Sequence, residues 1–203
     1  MPAAYDYLTL ELPPGRAAWE ALRVQMRTHV TPNVRAAAGD VVGLFFPQLG
    51  FASNEAVLLL RWRDAAHADQ AAIAIDAVEV RARDRLTATL RPADGDAPKP
   101  GGVYVHRWFT VAPDNVPTFI DLSGQAWPSF EAGFDTNIFG LFRAREPAPN
   151  GDVRMLLLTR YADHGVWEAS RQPAATARDA FGARHELTTS TIGRSSLLLL
   201  LLA

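Results

Sequence analysis

Alternation of apolar and polar positions marks the first element of the chain. Tyr5-Asp6-Tyr7-Leu8-Thr9-Leu10-Glu11-Leu12 alternates over one strand length before Pro13-Pro14-Gly15 breaks it. Much later, Val103-Tyr104-Val105-His106-Arg107-Trp108-Phe109-Thr110-Val111 does the same and ends at Ala112-Pro113-Asp114. After each comes a helical pattern, carried by Trp19, Leu22, Met26 and Val30 in one case and begun by Val116, Phe119, Ile120 and Leu122 in the other. Next come strands at Val41-Val42-Gly43-Leu44-Phe45-Phe46 and Ile138-Phe139-Gly140-Leu141-Phe142, each followed by a turn, with Asn150-Gly151 a strong hairpin signal. Third strands follow at Leu58-Leu59-Leu60-Arg61-Trp62-Arg63-Asp64 and Leu157-Leu158-Thr159-Arg160-Tyr161-Ala162-Asp163. Asp64 and Asp163 suit the N-cap of an Ala-rich helix, the second of which Pro173 divides. Last strands are predicted at 85–90 and 186–192.

Between the two series, Pro92 to Gly102 is too rich in Pro, Gly and Asp to sustain a helix or a central strand. The pattern therefore predicts one repeat over 1–92, a linker at 93–102 and a second repeat over 103–203 ending in an apolar tail. Each reads βαββαβ, so the expected fold class is α+β, with tandem ferredoxin-like βαββαβ repeats forming a dimeric α/β-barrel-like unit.

The same residues carry a family resemblance. Pro14-Gly15, Trp127-Pro128, Phe139-Gly140-Leu141-Phe142 and Arg160-Tyr161-Ala162-Asp163, with Arg107 and Phe109 in the first strand of the second repeat, resemble the NIPSNAP family. The first repeat departs from it, having Leu8 and Leu10 where that Arg and aromatic would sit, and the second has Asp114 for a Gly. The resemblance implies a dimeric α/β-barrel fold whose relatives include cofactor-free monooxygenases and haem-degrading enzymes. It implies no settled reaction. It also implies self-association, which an apolar Leu197–Leu202 run would favour.

Composition narrows the remaining classes. The 203 residues are 48% hydrophobic and 21% charged with a net charge of -2, which speaks for a folded core and against nucleic acid or an anionic membrane as partner. The absence of cysteine removes disulfides, thiolate metal sites and Cys nucleophiles. Met1 to Asp6 has neither a basic nor an apolar signal region, and the leucine run is far short of the roughly 20 residues of a membrane span. No membrane span and a cytoplasmic location are the expectations. His29, His67, His164 and His185 have no metal-ligand spacing, and no metal or cofactor is expected.

Alternation sorts the candidate site. Leu8, Leu10 and Leu12 suit the helix side of the first sheet, and Val105, Arg107, Phe109 and Val111 that of the second. Tyr104, His106 and Trp108 share the other face, where relatives keep a ligand cavity. His106 is the candidate catalytic base or iron ligand, and Tyr104, Trp108, Trp127, Tyr161 and Trp167 are candidate ligand-binding residues. A hydrogen-bonded core histidine and a plain aromatic packing cluster explain the same residues without chemistry. Arg61 and Arg160 suggest either anion binding or ion pairs beside Asp64 and Asp163. The expected function is the binding of a small apolar or aromatic ligand between the two sheets, or assembly. The alternative is a cofactor-independent monooxygenase or isomerase; no acid–base pair is identifiable that would decide for an enzyme.

Overall fold

The computed structural model describes residues 3–199, so Met1, Pro2 and the Leu200–Leu202 end of the leucine run, with Ala203, lie outside the described residues. The chain divides into two compact units. Residues 3–87 together with 196–199 form the first, and 88–195 the second.

The first unit is built from β1 (Ala4–Glu11), α1 (Arg16–Gln25), α2 (Thr31–Ala36), β2 (Gly39–Leu49), β3 (Glu55–Trp62), α3 (Ala65–Gln70) and β4 (Glu79–Ala88). Its sheet has the order β4-β1-β3-β2, and β1 is antiparallel to both neighbours. A π-helical turn over Met26–Val30 joins α1 to α2 without interrupting the apolar stripe, so that Leu22, Met26, Val30 and Val34 are all buried. They meet Leu8, Leu10, Leu12, Leu58, Leu60 and Trp62 of the sheet in one apolar cluster. Each leucine so buried contributes roughly 1.5–3 kcal/mol. The Ala-rich helix expected after Asp64 stops early at Gln70, because Ala71 is already extended.

The second unit follows a similar plan with β5 (Val103–Val111), α4 (Val116–Gly133), β6 (Thr136–Ala144), β7 (Val153–Tyr161), α5 (His164–Ala169), α6 (Ala175–Glu186) and β8 (Thr188–Leu199), the last four residues of which belong to the first unit. Its strand order is β8-β5-β7-β6. Val105, Phe109 and Val111 face the helices and pack with Phe119, Ala126, Trp127 and Phe130 of α4. The polypeptide leaving β4 already belongs here: the Thr89 N–H donates to the Leu141 carbonyl (2.9 Å), and Arg91 reaches both oxygens of Glu131 (2.9 and 3.0 Å). The second unit therefore begins at residue 88, upstream of the Pro-Gly segment.

Two motifs explain why the copies fold alike. In β2 the pairing with β3 skips from Val41 to Gly43, and in β6 the pairing with β7 skips from Ile138 to Gly140, a β-bulge at the same place in both units. A Cβ on Gly43 would stand 2.9 Å from the Phe45 ring, and one on Gly140 2.7 Å from the Phe142 ring. Only glycine lets the aromatic two residues on fold back over the bulge, which is why Gly-Leu-Phe recurs. At the end of β3 and β7, Asp64 Oδ1 accepts from the His67 N–H (3.0 Å) and Asp163 Oδ1 from the Val166 N–H (2.8 Å), capping α3 and α5. The preceding arginines pair elsewhere than beside those aspartates: Arg61 with Asp40 (2.7 Å) and Arg160 with Asp135 (2.5 Å). With both Asp64 and Asp163 committed to helix caps, the arginines turn to carboxylates at the start of the neighbouring strand.

Strand β8 runs beyond the predicted 186–192 and takes Leu197–Leu199 into the sheet beside β2. Leu199 packs against the first unit's apolar cluster. The described part of the leucine run is thus strand.

Candidate functional site

The structure does not bring the sequence-nominated residues to one place. Tyr104, His106 and Trp108 lie on the face of the second sheet turned away from its helices, as alternation requires. His106 is 0% exposed, and burial, with repulsion from Arg194 second, pulls its pKa down to about 3. The Tyr104 hydroxyl donates to the Lys99 carbonyl (2.6 Å), and burial pushes its ionisation upward. The Trp108 ring carries the Arg154 guanidinium 4.5 Å from its centroid. Trp127 sits in α4 beneath Arg91, whose guanidinium lies 5.2 Å from the ring centroid.

Tyr161 and Trp167 do meet, on the helix side. They line a cavity of about 320 Å³ between the sheet and helices α4 to α6. Its floor is sheet: Val105 and Arg107 from β5, Ile138 from β6, and Leu157, Thr159 and Tyr161 from β7. Register places Arg107 opposite Leu157 and sets Val105, Thr159 and Ile138 in one row across three strands. Phe130 of α4, Trp167 of α5, and Phe181 and Arg184 of α6 form the helical wall, closed by Ser170, Arg171 and Pro173. The Pro173 break between α5 and α6 thus shapes the rim.

The electrostatics of this lining are one-sided. It holds three arginines and no Asp, Glu, His or Lys. Arg171 is paired outward with Glu168 (3.6 Å). Arg107 makes no hydrogen bond or ion pair with any described residue. Arg184 is 6% exposed; its guanidinium lies over Phe181 (4.7 Å), Phe109 (4.9 Å) and Phe119 (5.4 Å) and donates one long hydrogen bond to Ser123 Oγ (3.3 Å). Its Nε and the indole Nε1 of Trp167 are buried with no acceptor among the described residues. Burial first, then repulsion from Arg107, pulls the Arg184 pKa down to about 10. Burial likewise raises the Tyr161 pKa, so that the hydroxyl keeps its proton.

Sequence reasoning missed Arg107 and Arg184. Both left a trace. Arg107 is the single charge on the face Val105-Arg107-Phe109-Val111, and Arg184 falls on the helical stripe of Ala177 and Phe181. A cation on an otherwise apolar face is the signal.

No family model and no curated protein matches the sequence. Solved structures do resemble it over nearly its whole length. A provisionally assigned monooxygenase from Lactobacillus acidophilus NCFM matches at 7% identity and TM-score 0.62, covering 98% of this chain and 94% of that one. A mutant chlorite dismutase from Candidatus Nitrospira defluvii matches at 8% identity and TM-score 0.61, with coverage of 98% and 92%. An uncharacterized ferredoxin fold protein related to antibiotic biosynthesis monooxygenases, from Listeria monocytogenes 4b F2365, matches at 10% identity and TM-score 0.53, with coverage of 98% and 96%. At these identities the likeness establishes the fold, and it is the ferredoxin-like α+β class expected from the repeats. No helix among the described residues is long and apolar enough to cross a membrane.

Haem binding, with His106 as the iron ligand, was a further alternative implied by the family resemblance. His106 does not line the helix-side cavity, and that lining holds no His, Cys or Met.

Proposed function

We propose that the chain binds a small ring-bearing molecule in the cavity of the second unit, between the sheet and helices α4 to α6. One observation carries this reading: apolar and aromatic walls surround buried donors that have no acceptor among the described residues, around a space of about 320 Å³. Small-molecule sites have that composition, and their volumes start at about 300 Å³. Tyr161 and Trp167 belong to the proposed site, whereas Tyr104, His106, Trp108 and Trp127 do not line it.

The test fills the cavity with the first unit's own side chains. Thr159→Leu and Tyr161→Trp copy Leu60 and Trp62, which stand at the corresponding places in register. Titration with benzamide, followed by tryptophan fluorescence and by the indole N–H resonance of Trp167, is expected to saturate in the parent protein and to vanish in the double variant. Equal response in both would remove the site.

The alternative, an oxygenase or isomerase assisted by His106, draws on the monooxygenase names among the structural neighbours. Against it, an imidazole with a pKa of about 3 is a poor base at neutral pH, where a general base works best with a pKa near the operating pH. Oxygen uptake with a phenolic substrate, abolished by His106→Ala, would restore it. Kinship with NIPSNAP proteins is part of the proposal. Its support is that Gly140-Leu141-Phe142 forms the bulge and Asp163 of Arg160-Tyr161-Ala162-Asp163 the helix cap, so the motif residues do structural work. Self-association belongs to it too; a monomer mass by light scattering would remove that part.

A further inference from the structure

Resting on the reading that the second unit holds a ring-bearing ligand, we propose that this ligand is an acid, and that Arg107 and Arg184 receive its carboxylate while Phe130, Phe181 and Trp167 enclose its ring.

The argument starts from what a buried charge needs. An arginine removed from water is stable only when paired or well hydrogen-bonded. In the first unit the charge is paired, although Arg83 Nε and Asp6 Oδ1 themselves lack partners among the described residues. Arg83 donates to Asp6 Oδ2 (2.7 Å) and to the carbonyls of Ala68 (2.6 Å) and Ala71 (3.2 Å), and Asp6 also accepts from the Trp62 indole (2.6 Å). The second unit breaks that rule. The place of Asp6 in register is taken by Val105, so the sheet floor offers Arg184 no carboxylate. A second cation, Arg107, then stands where the first unit has the fully buried Leu8. Arg107 and Arg184 thus share one cavity, beside the outward-paired Arg171, with no acidic residue in its lining.

Every unpartnered buried polar atom in the lining is a donor: Arg184 Nε and Trp167 Nε1. The Tyr161 hydroxyl, kept protonated by burial, is engaged with Ser170 and Thr159 beside them. A cationic ligand would find no counter-charge there, and a neutral one would leave the guanidiniums unpaired. A carboxylate supplies two acceptor oxygens to a guanidinium fork. The aromatic wall and a volume of about 320 Å³ select an acid with a body of one ring over a bare oxyanion or a larger acid.

The experiment compares four probes on the intact protein by isothermal titration: benzoate, benzamide, benzylamine and inorganic phosphate. Benzoate is expected to bind roughly tenfold or more tighter than the other three, the gain of charge-assisted hydrogen bonds over neutral ones. Arg107→Leu, which installs the first unit's residue, should remove that advantage, so that benzoate binds no tighter than benzamide. Arg184→Met should do the same. Equal affinity for benzoate, benzamide and benzylamine would overturn the acid assignment with the ring site intact. Phosphate binding as tightly as benzoate would overturn the role of the ring. Failure of every ring compound to bind would instead remove the underlying binding reading.

Discussion

The two units share a scaffold and differ in what fills the space between sheet and helices. In the first, Leu8, Leu58, Leu60 and Trp62 close it with apolar side chains, and a polar cluster of Asp6 with Arg83 and Trp62 pairs its charges. In the second, Arg107, Thr159 and Tyr161 stand at the places of Leu8, Leu60 and Trp62, and the space stays open over about 320 Å³. Bulge, caps and strand order are the same, so the difference lies in the side chains of the sheet and in the helices after β7, where α5 and α6 stand in place of the single short α3.

Four experiments probe that difference. The largest effect is expected at Asp6, which is 0% exposed: Asp6→Ala leaves Arg83 and the Trp62 indole without their acceptor and should cost about 3–5 kcal/mol in chemical denaturation. A loss under about 1 kcal/mol would mean that the pairing in the first unit is not what separates it from the second.

The next contrast is at the position where the first unit has Tyr7 and the second His106. The folded protein holds this imidazole neutral down to about pH 3, while the unfolded chain takes up its proton near pH 6.5, the ordinary value for a histidine. The unfolded state therefore binds the proton first, and stability falls as pH drops from about 6.5 towards 3, by on the order of 3–5 kcal/mol. His106→Tyr, copying the first unit, should flatten that part of the stability–pH curve. An unchanged slope would place the titration elsewhere.

The paired strands, bulges and caps were legible because they rest on local rules: alternation, a glycine beneath an aromatic, an aspartate ahead of a helix. The site was not, because it depends on which residues of separate strands and helices share a row. Val105 says nothing by itself; its meaning is that Asp6 holds the same place in the other copy. Tyr161 and Trp167 were nominated for their ring size, and that property suits a cavity wall. Tyr104, His106 and Trp108 were nominated for a face, and the cavity opens on the other one.

A smaller effect, of opposite sign, is expected for Arg184→Met without ligand. Removing a buried charge that lacks a counter-ion should raise stability by about 1–3 kcal/mol, with the thioether keeping contact with Phe109, Phe119 and Phe181. A destabilised variant would show that its ring contacts alone satisfy the guanidinium. The smallest effect tests the shared scaffold: Gly43→Ala and Gly140→Ala should each cost about 1–2 kcal/mol as the new methyl displaces Phe45 or Phe142. Unequal losses would mean that the two bulges are not equivalent.

Strand β8 also bears on how the chain is made. Ser196–Leu199 belong to the first unit, yet the ribosome adds them only after all of the second unit, roughly a hundred residues later. At about 5–20 residues per second, the β2 edge waits for its neighbour for roughly 5–20 seconds. During that interval a newly made sheet edge is open to pairing with another nascent chain. Slow translation of the second unit, or a shortage of chaperone, would then act on the half of the molecule already synthesised.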